Sequence, residues 1–328
     1  MTGRVAAVDC GTNSTRLLVA EAAPGAEAGE SLRTVVRLMR ITRLGQGVGA
    51  SGNLAPEAIE RTAEALRAYR HEIDRLGVPA DAAHVRATAT SAARDAGNRA
   101  ELFAAVHDAL GVEPELLSGL EEGKLSFEGA TEGLDPSAGP FLVADIGGGS
   151  TELITGTVDH HGRPRVHDAV SLQLGCVRVT EQHLQHDPPS TSELVAARAA
   201  VDALVVPAVD GLAQARAART VVGLAGTVAA AAAIDAGIAE YDRDQVHHRW
   251  LARDGIEALV RRLAGLTVAD RKATVVGLEP ERADVIVGGL LVLVSLLDAL
   301  DKSSFLTSEA DILDGLAAAL LRGERGVP

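Results

Sequence analysis

Apolar residues that deliver an aspartate into a turn of small residues, and then resume beyond it, occur twice in this chain. Ala6-Ala7-Val8 runs into Asp9 and the turn Cys10-Gly11-Thr12-Asn13, and Leu17-Leu18-Val19 leaves it. Leu142-Val143-Ala144 runs into Asp145 and the turn Gly147-Gly148-Gly149, and Leu153-Ile154 leaves it. At one constant offset Asp9 matches Asp145, Gly11 matches Gly147, Ser14-Thr15 matches Ser150-Thr151 and Leu17 matches Leu153. Each stretch predicts a β-hairpin whose turn exposes backbone N–H groups and two hydroxyls. Two copies in one register predict a duplicated phosphate-binding hairpin, one per domain, facing each other across a cleft.

The rest of the pattern fills in an α/β plan. Leu32 to Thr42 reads as a third strand after the loop Pro24–Gly29, and Gly45–Gly49 as a flexible connection. Pro56 opens a helix with Ile59, Ala63, Leu66, Ile73 and Leu76 on one face, ending at Gly77. Ala83–Ala89 and Pro114–Leu117 read as short strands, Asn98 as the cap of a helix to Leu110, and Ser118 as the cap of a helix carrying Glu121 and Glu122. In the second half a strand near Val166–Leu174 precedes a helix from Gly175. Pro188-Pro189-Ser190 precedes a long Ala-rich helix. Thr220–Leu224 is a buried strand entering Ala225-Gly226-Thr227 and a further helix. Pro280 opens a helix to about Leu300, Ser303–Thr307 is a last strand and Ile312–Leu321 a last helix. Strands in meander order followed by crossover helices, in both halves, predict duplicated α/β domains with a ligand cleft between them. The division is expected as 1–123 and 124–328, with the last helix free to pack back on the first domain.

Composition narrows the function classes. A chain of 328 residues favours two domains, and 47% hydrophobic residues with only 2% aromatic ones call for cores of Ala, Val and Leu. A net charge of −14 argues against a nucleic-acid binder, so a polyanionic ligand must meet a local patch. Two cysteines, Cys10 and Cys176, give no disulfide framework and read as buried small residues. The apolar run Val285–Leu297, bounded by Asp284 and Asp298, is too short to span a bilayer. With no signal peptide read before the first strand, a cytoplasmic protein without membrane or nucleic-acid partners is expected.

The residues at the two turns carry the candidate chemistry. Gly11 lets the backbone approach a ligand, Thr12, Asn13, Ser14 and Thr15 can donate hydrogen bonds, and Arg16 can add charge. Three consecutive glycines, Gly147, Gly148 and Gly149, followed by Ser150, weaken a chain unless its backbone must come close to something. Asp145 and Glu152 are hard oxygen ligands suited to Mg²⁺ or Mn²⁺, and Asp9 is the natural third acidic group. Glu121 and Glu122 by themselves read as an acidic first helical turn complementing the helix dipole. Gly223–Thr227 reads equally as a nucleoside contact or a plain turn, and His247-His248 as surface residues.

Taken together, DCGTNSTRLLV, ATATSAARDAGNR, LLSGLEEGKLSFEGA, DIGGGSTEL, SLQLGCVRVTE, GLAGT and ERADVIVGGLLVL resemble the exopolyphosphatase / guanosine pentaphosphate phosphohydrolase (Ppx/GppA) family, from Val5 to about Leu321. The resemblance implies the duplicated actin-like (ribonuclease H-like) fold of the actin–Hsp70–sugar-kinase superfamily, in the short two-domain form without a further helical domain. It places the catalytic glutamate at Glu121 and phosphate contacts at Ser91 and Arg94. It implies a metal-dependent exopolyphosphatase that releases orthophosphate from inorganic polyphosphate, with Mg²⁺ or Mn²⁺ and as a homodimer; 31 Lys and Arg against 45 Asp and Glu, with no long basic run, add the expectation of short chains. The alternatives are a guanosine pentaphosphate phosphohydrolase and a non-catalytic guanosine penta/tetraphosphate sensor of the stringent response. A sugar or acetate kinase is disfavoured by the length and by the SGLEE segment.

Overall fold

The computed structural model describes residues 3–25 and 31–324. It forms two compact units, one running to Gly133 and resuming at Asp311, the other Leu134–Ala310. A division after residue 123 would cut the helix Gly119–Thr131, which buries Gly123, Ser126, Phe127 and Gly129–Thr131 within the first unit. The last helix, Ile312–Leu321, also belongs to the first unit.

The first unit holds five strands: β1 (Arg4–Cys10), β2 (Ser14–Ala22), β3 (Leu32–Ile41), β4 (Val85–Ala89) and β5 (Glu115–Leu116). They lie in the order β3-β2-β1-β4-β5, antiparallel through β1 and parallel from β1 to β5. Alternation along β1 and β2 sorts the two faces. Ala6, Val8, Cys10, Leu17 and Val19 pack with the helices Pro56–Arg75 and Arg99–Leu110. Val5, Ala7, Leu18 and Ala20 pack with Leu117 and with Ile312, Leu313, Leu316 and Leu320 of the last helix.

The second unit holds β6 (Phe141–Ile146), β7 (Thr151–Val158), β8 (Pro164–Leu172), β9 (Thr220–Leu224), β10 (Trp250–Ala252) and β11 (Ser304–Thr307). Their order is β10-β11-β9-β6-β7-β8. Read from β8, this repeats the first sheet: an antiparallel meander, then two parallel strands, with β10 added at the edge. The chain is therefore a duplicated actin-like α/β fold, and parallel strands in each unit end at the same edge as its hairpin turn.

Most elements lie where the periodicity puts them, including Pro56–Arg75, Thr220–Leu224 and Ile312–Leu321. Asn98 stands at the N-cap of Arg99–Leu110, but its amide instead braces Leu54, accepting from its N–H at 2.8 Å and donating to its carbonyl at 3.0 Å. The expected helix from Pro280 divides into a 3₁₀ turn, Pro280–Arg282, and the helix Ile286–Leu300. The buried guanidinium of Arg271 donates to the Ala283 carbonyl at 2.9 Å, between the two pieces. Strand β10 and the helix Arg253–Ala264 were not anticipated. Of the expected loop Pro24–Gly29, positions 26–29 lie outside the described residues. Among the described residues no helix is long and apolar enough to cross a membrane.

Candidate active site

The first hairpin closes with Gly11 N–H donating to the Ser14 carbonyl at 3.0 Å, and the second with Gly147 N–H donating to the Ser150 carbonyl at 3.0 Å. Both turns are also tied down from one side. In the first, the Thr12 carbonyl accepts from Gly45 N–H (2.8 Å) and the Asn13 carbonyl from Thr42 and Arg43 N–H (3.1 and 2.9 Å). In the second, the Gly147 and Gly148 carbonyls accept from Cys176 and Val177 N–H (3.0 and 2.9 Å), and the Gly149 carbonyl from Arg178 Nε (3.0 Å). A trans peptide directs its C=O and N–H to opposite sides. Tying back the carbonyls therefore turns the N–H groups of Asn13 and Ser14, and of Gly148, Gly149 and Ser150, the other way. Successive outward amides suit an oxyanion such as phosphate. Close packing enforces both arrangements: a Cβ on Gly45 would lie 2.3 Å from Thr12 Cγ2, and one on Gly175 would lie 2.4 Å from the Gly148 oxygen.

In the first unit the C-terminal ends of β1, β4 and β5 bring the sequence-predicted residues to one sheet edge. Beyond β1 lies the Gly11–Asn13 turn, beyond β4 the short helix Ser91–Asp95, and beyond β5 the helix Gly119–Thr131. Asp9 Oδ1, Asn13 Nδ2 and Ser91 Oγ are buried here without a hydrogen-bond partner. An unsatisfied buried polar atom is costly, so three at one predicted site single it out as a candidate ligand site.

The expected cations are already paired. Arg16 donates through Nε and Nη2 to Asp9 Oδ2 at 3.2 and 2.7 Å, and through Nη1 to Asp311. Arg94 Nη1 donates to Glu122 Oε2 at 2.7 Å and to the Leu117 carbonyl at 2.9 Å. Burial pushes the Asp9 carboxyl up from its ordinary value despite Arg16. Asp311 is buried too, but Arg16 and Arg37 together hold its pKa down. Glu121 closes a capping box: its Oε2 accepts from Ser118 Oγ (2.7 Å) and Ser118 N–H (2.9 Å), and its own N–H donates back to Ser118 Oγ. The Ser118 hydroxyl and amide hold the Glu121 carboxyl below the usual carboxylate range. Of the adjacent glutamates, Glu121 thus faces its own cap and Glu122 faces Arg94.

In the second unit Asp145 and Glu152 are direct cross-strand partners on β6 and β7, both buried, at 7% and 1% exposure. The matching pair in the first hairpin is Asp9 and Arg16. The same two strand positions thus hold an ion pair in one unit and two carboxylates in the other.

The second turn, Ser91, Arg94, the two glutamates Glu121 and Glu122, and Asp311 all fall within a match to the Ppx/GppA phosphatase family that spans residues 18–322. The chain belongs to this family. It is 42% identical to exopolyphosphatase 2 of Mycobacterium tuberculosis over 97% of this chain and 98% of that protein. The crystal structure of an exopolyphosphatase-like protein matches with a TM-score of 0.88 at 36% identity, covering 97% of this chain and 99% of that one. The Aquifex aeolicus member of the Ppx/GppA family matches with a TM-score of 0.79 at 28% identity, covering 98% and 99%.

Within this Ppx/GppA chain the Asp145–Glu152 pair is the arrangement that suits a divalent cation. Two carboxylates directly opposite on a ladder repel each other, and an oxygen-only donor set is hard. Ser171 Oγ donates to Glu152 Oε1 at 2.7 Å and orients that carboxylate. Among the described residues no three His, Cys, Asp or Glu side chains gather into a ready-made cluster. Two carboxylates still suffice for Mg²⁺, which keeps waters and takes phosphate oxygens as further ligands.

Other singled-out residues do different work. Arg282 pairs with Glu279 and lies against Gly226, where a Cβ would meet Arg282 Nη1 at 1.6 Å. His247 and His248 stack at 3.7 Å, and His247 Nδ1 accepts from Glu309 N–H. Both cysteines are buried, and burial pushes the Cys176 thiol up to about 11, which suits an inert core residue. Arg37 and Asp311 also reach the cluster at Arg16. Neither belongs to a local motif, and their contact spans 274 positions of chain.

Proposed function

We propose that the chain is an exopolyphosphatase that hydrolyses the terminal phosphoanhydride of inorganic polyphosphate. The full-length match to the mycobacterial exopolyphosphatase 2 carries the substrate class. The paired turns with outward amides, and the orphaned buried donors of Asn13 and Ser91, support phosphate as the group recognised. In this reading the turn Gly11–Ser14, through the Asn13 and Ser14 amides, and Ser91 in one unit, and the turn Gly147–Ser150, through the Gly148, Gly149 and Ser150 amides, in the other, donate hydrogen bonds to phosphate oxygens. Asp145 and Glu152 would hold Mg²⁺ or Mn²⁺. When bound, the cation supplies charge neutralisation at the phosphoryl oxygens.

Glu121 is the proposed base. Water adds to the terminal phosphorus, its proton passes to the Glu121 carboxylate, the bridging P–O bond breaks, and orthophosphate leaves a chain shortened by one. For this Glu121 must give up its hydrogen bond from the Ser118 hydroxyl, which leaves that hydroxyl free to meet the substrate. Short chains are the expected substrates: Arg16 and Arg94 are paired with carboxylates, and the chain carries an excess of negative charge. The test is phosphate release from short polyphosphate, long polyphosphate, guanosine pentaphosphate and ATP, side by side at fixed metal. Release mainly from short polyphosphate supports the reading. Release only from guanosine pentaphosphate, or from none, overturns it in favour of a nucleotide phosphohydrolase or a non-catalytic sensor.

A further inference from the structure

Arg16 stands next to the first turn, yet its guanidinium lies between two carboxylates. Asp9 takes Nε and Nη2, and Asp311 takes Nη1. Asp311 is the first residue of the chain's return to this unit and the N-cap of its last helix, where Oδ1 accepts from Leu313 N–H at 2.9 Å. A second guanidinium, Arg37 on β3, bonds Asp311 Oδ1 at 3.4 Å and also bonds Asp314. Asp314 in turn accepts from Asp311 N–H at 2.7 Å. The cluster holds the carboxylates of Asp9, Asp311 and Asp314 against the guanidiniums of Arg16 and Arg37, an excess of one negative charge in a largely buried place.

Stability alone does not call for that excess. Two carboxylates would balance the two arginines, and an asparagine at position 311 would still cap the helix. The position of the extra carboxylate is specific: it engages Arg16 Nη1, while Asp9 takes Nε and Nη2. From this we infer that Asp311 is a specificity-determining residue that withholds Arg16 from the phosphate site, so that the first turn grips phosphate through amides and hydroxyls rather than through a cation. The inference rests on the reading of that turn as a phosphate cradle. Its consequence is a limit on how much negative charge the site holds: a multiply charged phosphate chain gains little there beyond its first groups. Arginine is the side chain best suited to bind phosphate bidentately, so holding it on carboxylates changes the site's selectivity more than it changes the fold.

The experiment is calorimetric titration with diimidotriphosphate, a non-hydrolysable tripolyphosphate analogue, at fixed Mg²⁺ and salt, on the wild type, Asp311→Asn, Asp311→Asn/Arg16→Gln and Asn13→Ala. Asp311→Asn is expected to bind about threefold to tenfold more tightly, the scale of one added charge several Å away in a partly shielded site. The double variant should lose that gain, because the gain runs through Arg16. A purely structural role for Asp311 would give equal or weaker binding. Unchanged or weaker binding by Asp311→Asn, while Asn13→Ala still weakens binding, overturns the inference and leaves the cradle standing. No effect of Asn13→Ala overturns the cradle and the inference with it. Should Asp311→Asn melt out, Asp314→Asn serves in its place. It frees Arg37 to draw Asp311 from Arg16, and absence of any gain in that folded variant counts against the inference equally.

Discussion

Gly175→Ala tests whether the shape of the second turn carries activity. Gly175 has an extended backbone, with φ −158°, so its conformation does not demand glycine. Space does. An added Cβ would lie 2.4 Å from the Gly148 oxygen, 2.5 Å from the Gly148 carbonyl carbon and 2.7 Å from the Gly147 oxygen. All three are backbone atoms, so no side chain can swing aside. Ordinary contact begins near 3.4 Å, so the turn must withdraw by about 1 Å, and the bonds from Cys176 and Val177 N–H that fix it must stretch. Overpacking of this kind costs about 1–3 kcal/mol, a fall in Tm of roughly 2–10 °C. A displacement of ~1 Å at a group that positions substrate can lower the rate about 100-fold. The assay is kcat/KM for phosphate release from short polyphosphate beside a thermal melt, with Gly255→Ala as control. Gly255 is exposed in the helix Arg253–Ala264 with open space around it, so alanine there should raise stability by about 0.5–1 kcal/mol and leave the rate alone. A Gly175→Ala enzyme with the wild-type rate and a lowered Tm would refute the reasoning, because the turn would have moved without consequence.

Glu121→Gln is expected to lower the rate by about 10²–10⁴ while costing at most about 1 kcal/mol through the weakened capping box, and Glu122→Gln should lower stability more and rate less, because it breaks the partly buried pair with Arg94. Parallel initial rates and urea melts check this, and the reverse ranking of rates would assign the base to Glu122. Asp145→Asn and Glu152→Gln should each raise the Mg²⁺ or Mn²⁺ concentration needed for half-maximal rate, and full wild-type activity in excess chelator would remove the metal from the mechanism. The folded pKa of Glu121 lies below its unfolded value, so the stabilisation from its cap is complete above about pH 4.3 and is lost as pH falls through the folded value. Ser118→Ala should therefore destabilise more at pH 7 than in acid below the folded value of Glu121, where only the bond from Glu121 N–H to the Ser118 hydroxyl remains to be lost; denaturation curves showing no pH dependence of the gap would contradict the Glu121 carboxylate as part of the cap.

The hairpins were legible in the sequence because their information is local. Continuous apolar runs, an aspartate at the strand end and a small-residue turn lie within a dozen positions, and the common offset repeats them. The Ser118 cap was legible for the same reason, since it stands directly before the helix it caps, whereas the return bond from Glu121 to Ser118 came only with the structure. A periodic pattern could not show which way each side chain would be committed. Glu121 and Glu122 are neighbours, yet one turns to its own cap and the other meets Arg94, 28 positions away. Arg16 reads as a free cation until the last helix returns to the first unit and sets Asp311 on it across 295 positions. The duplicated plan was thus determined by residues close together in the chain, through periodicity, turns and caps. The charge state of the site was decided only when distant elements packed, because an ion pair depends on distance in space and leaves no trace in local spacing.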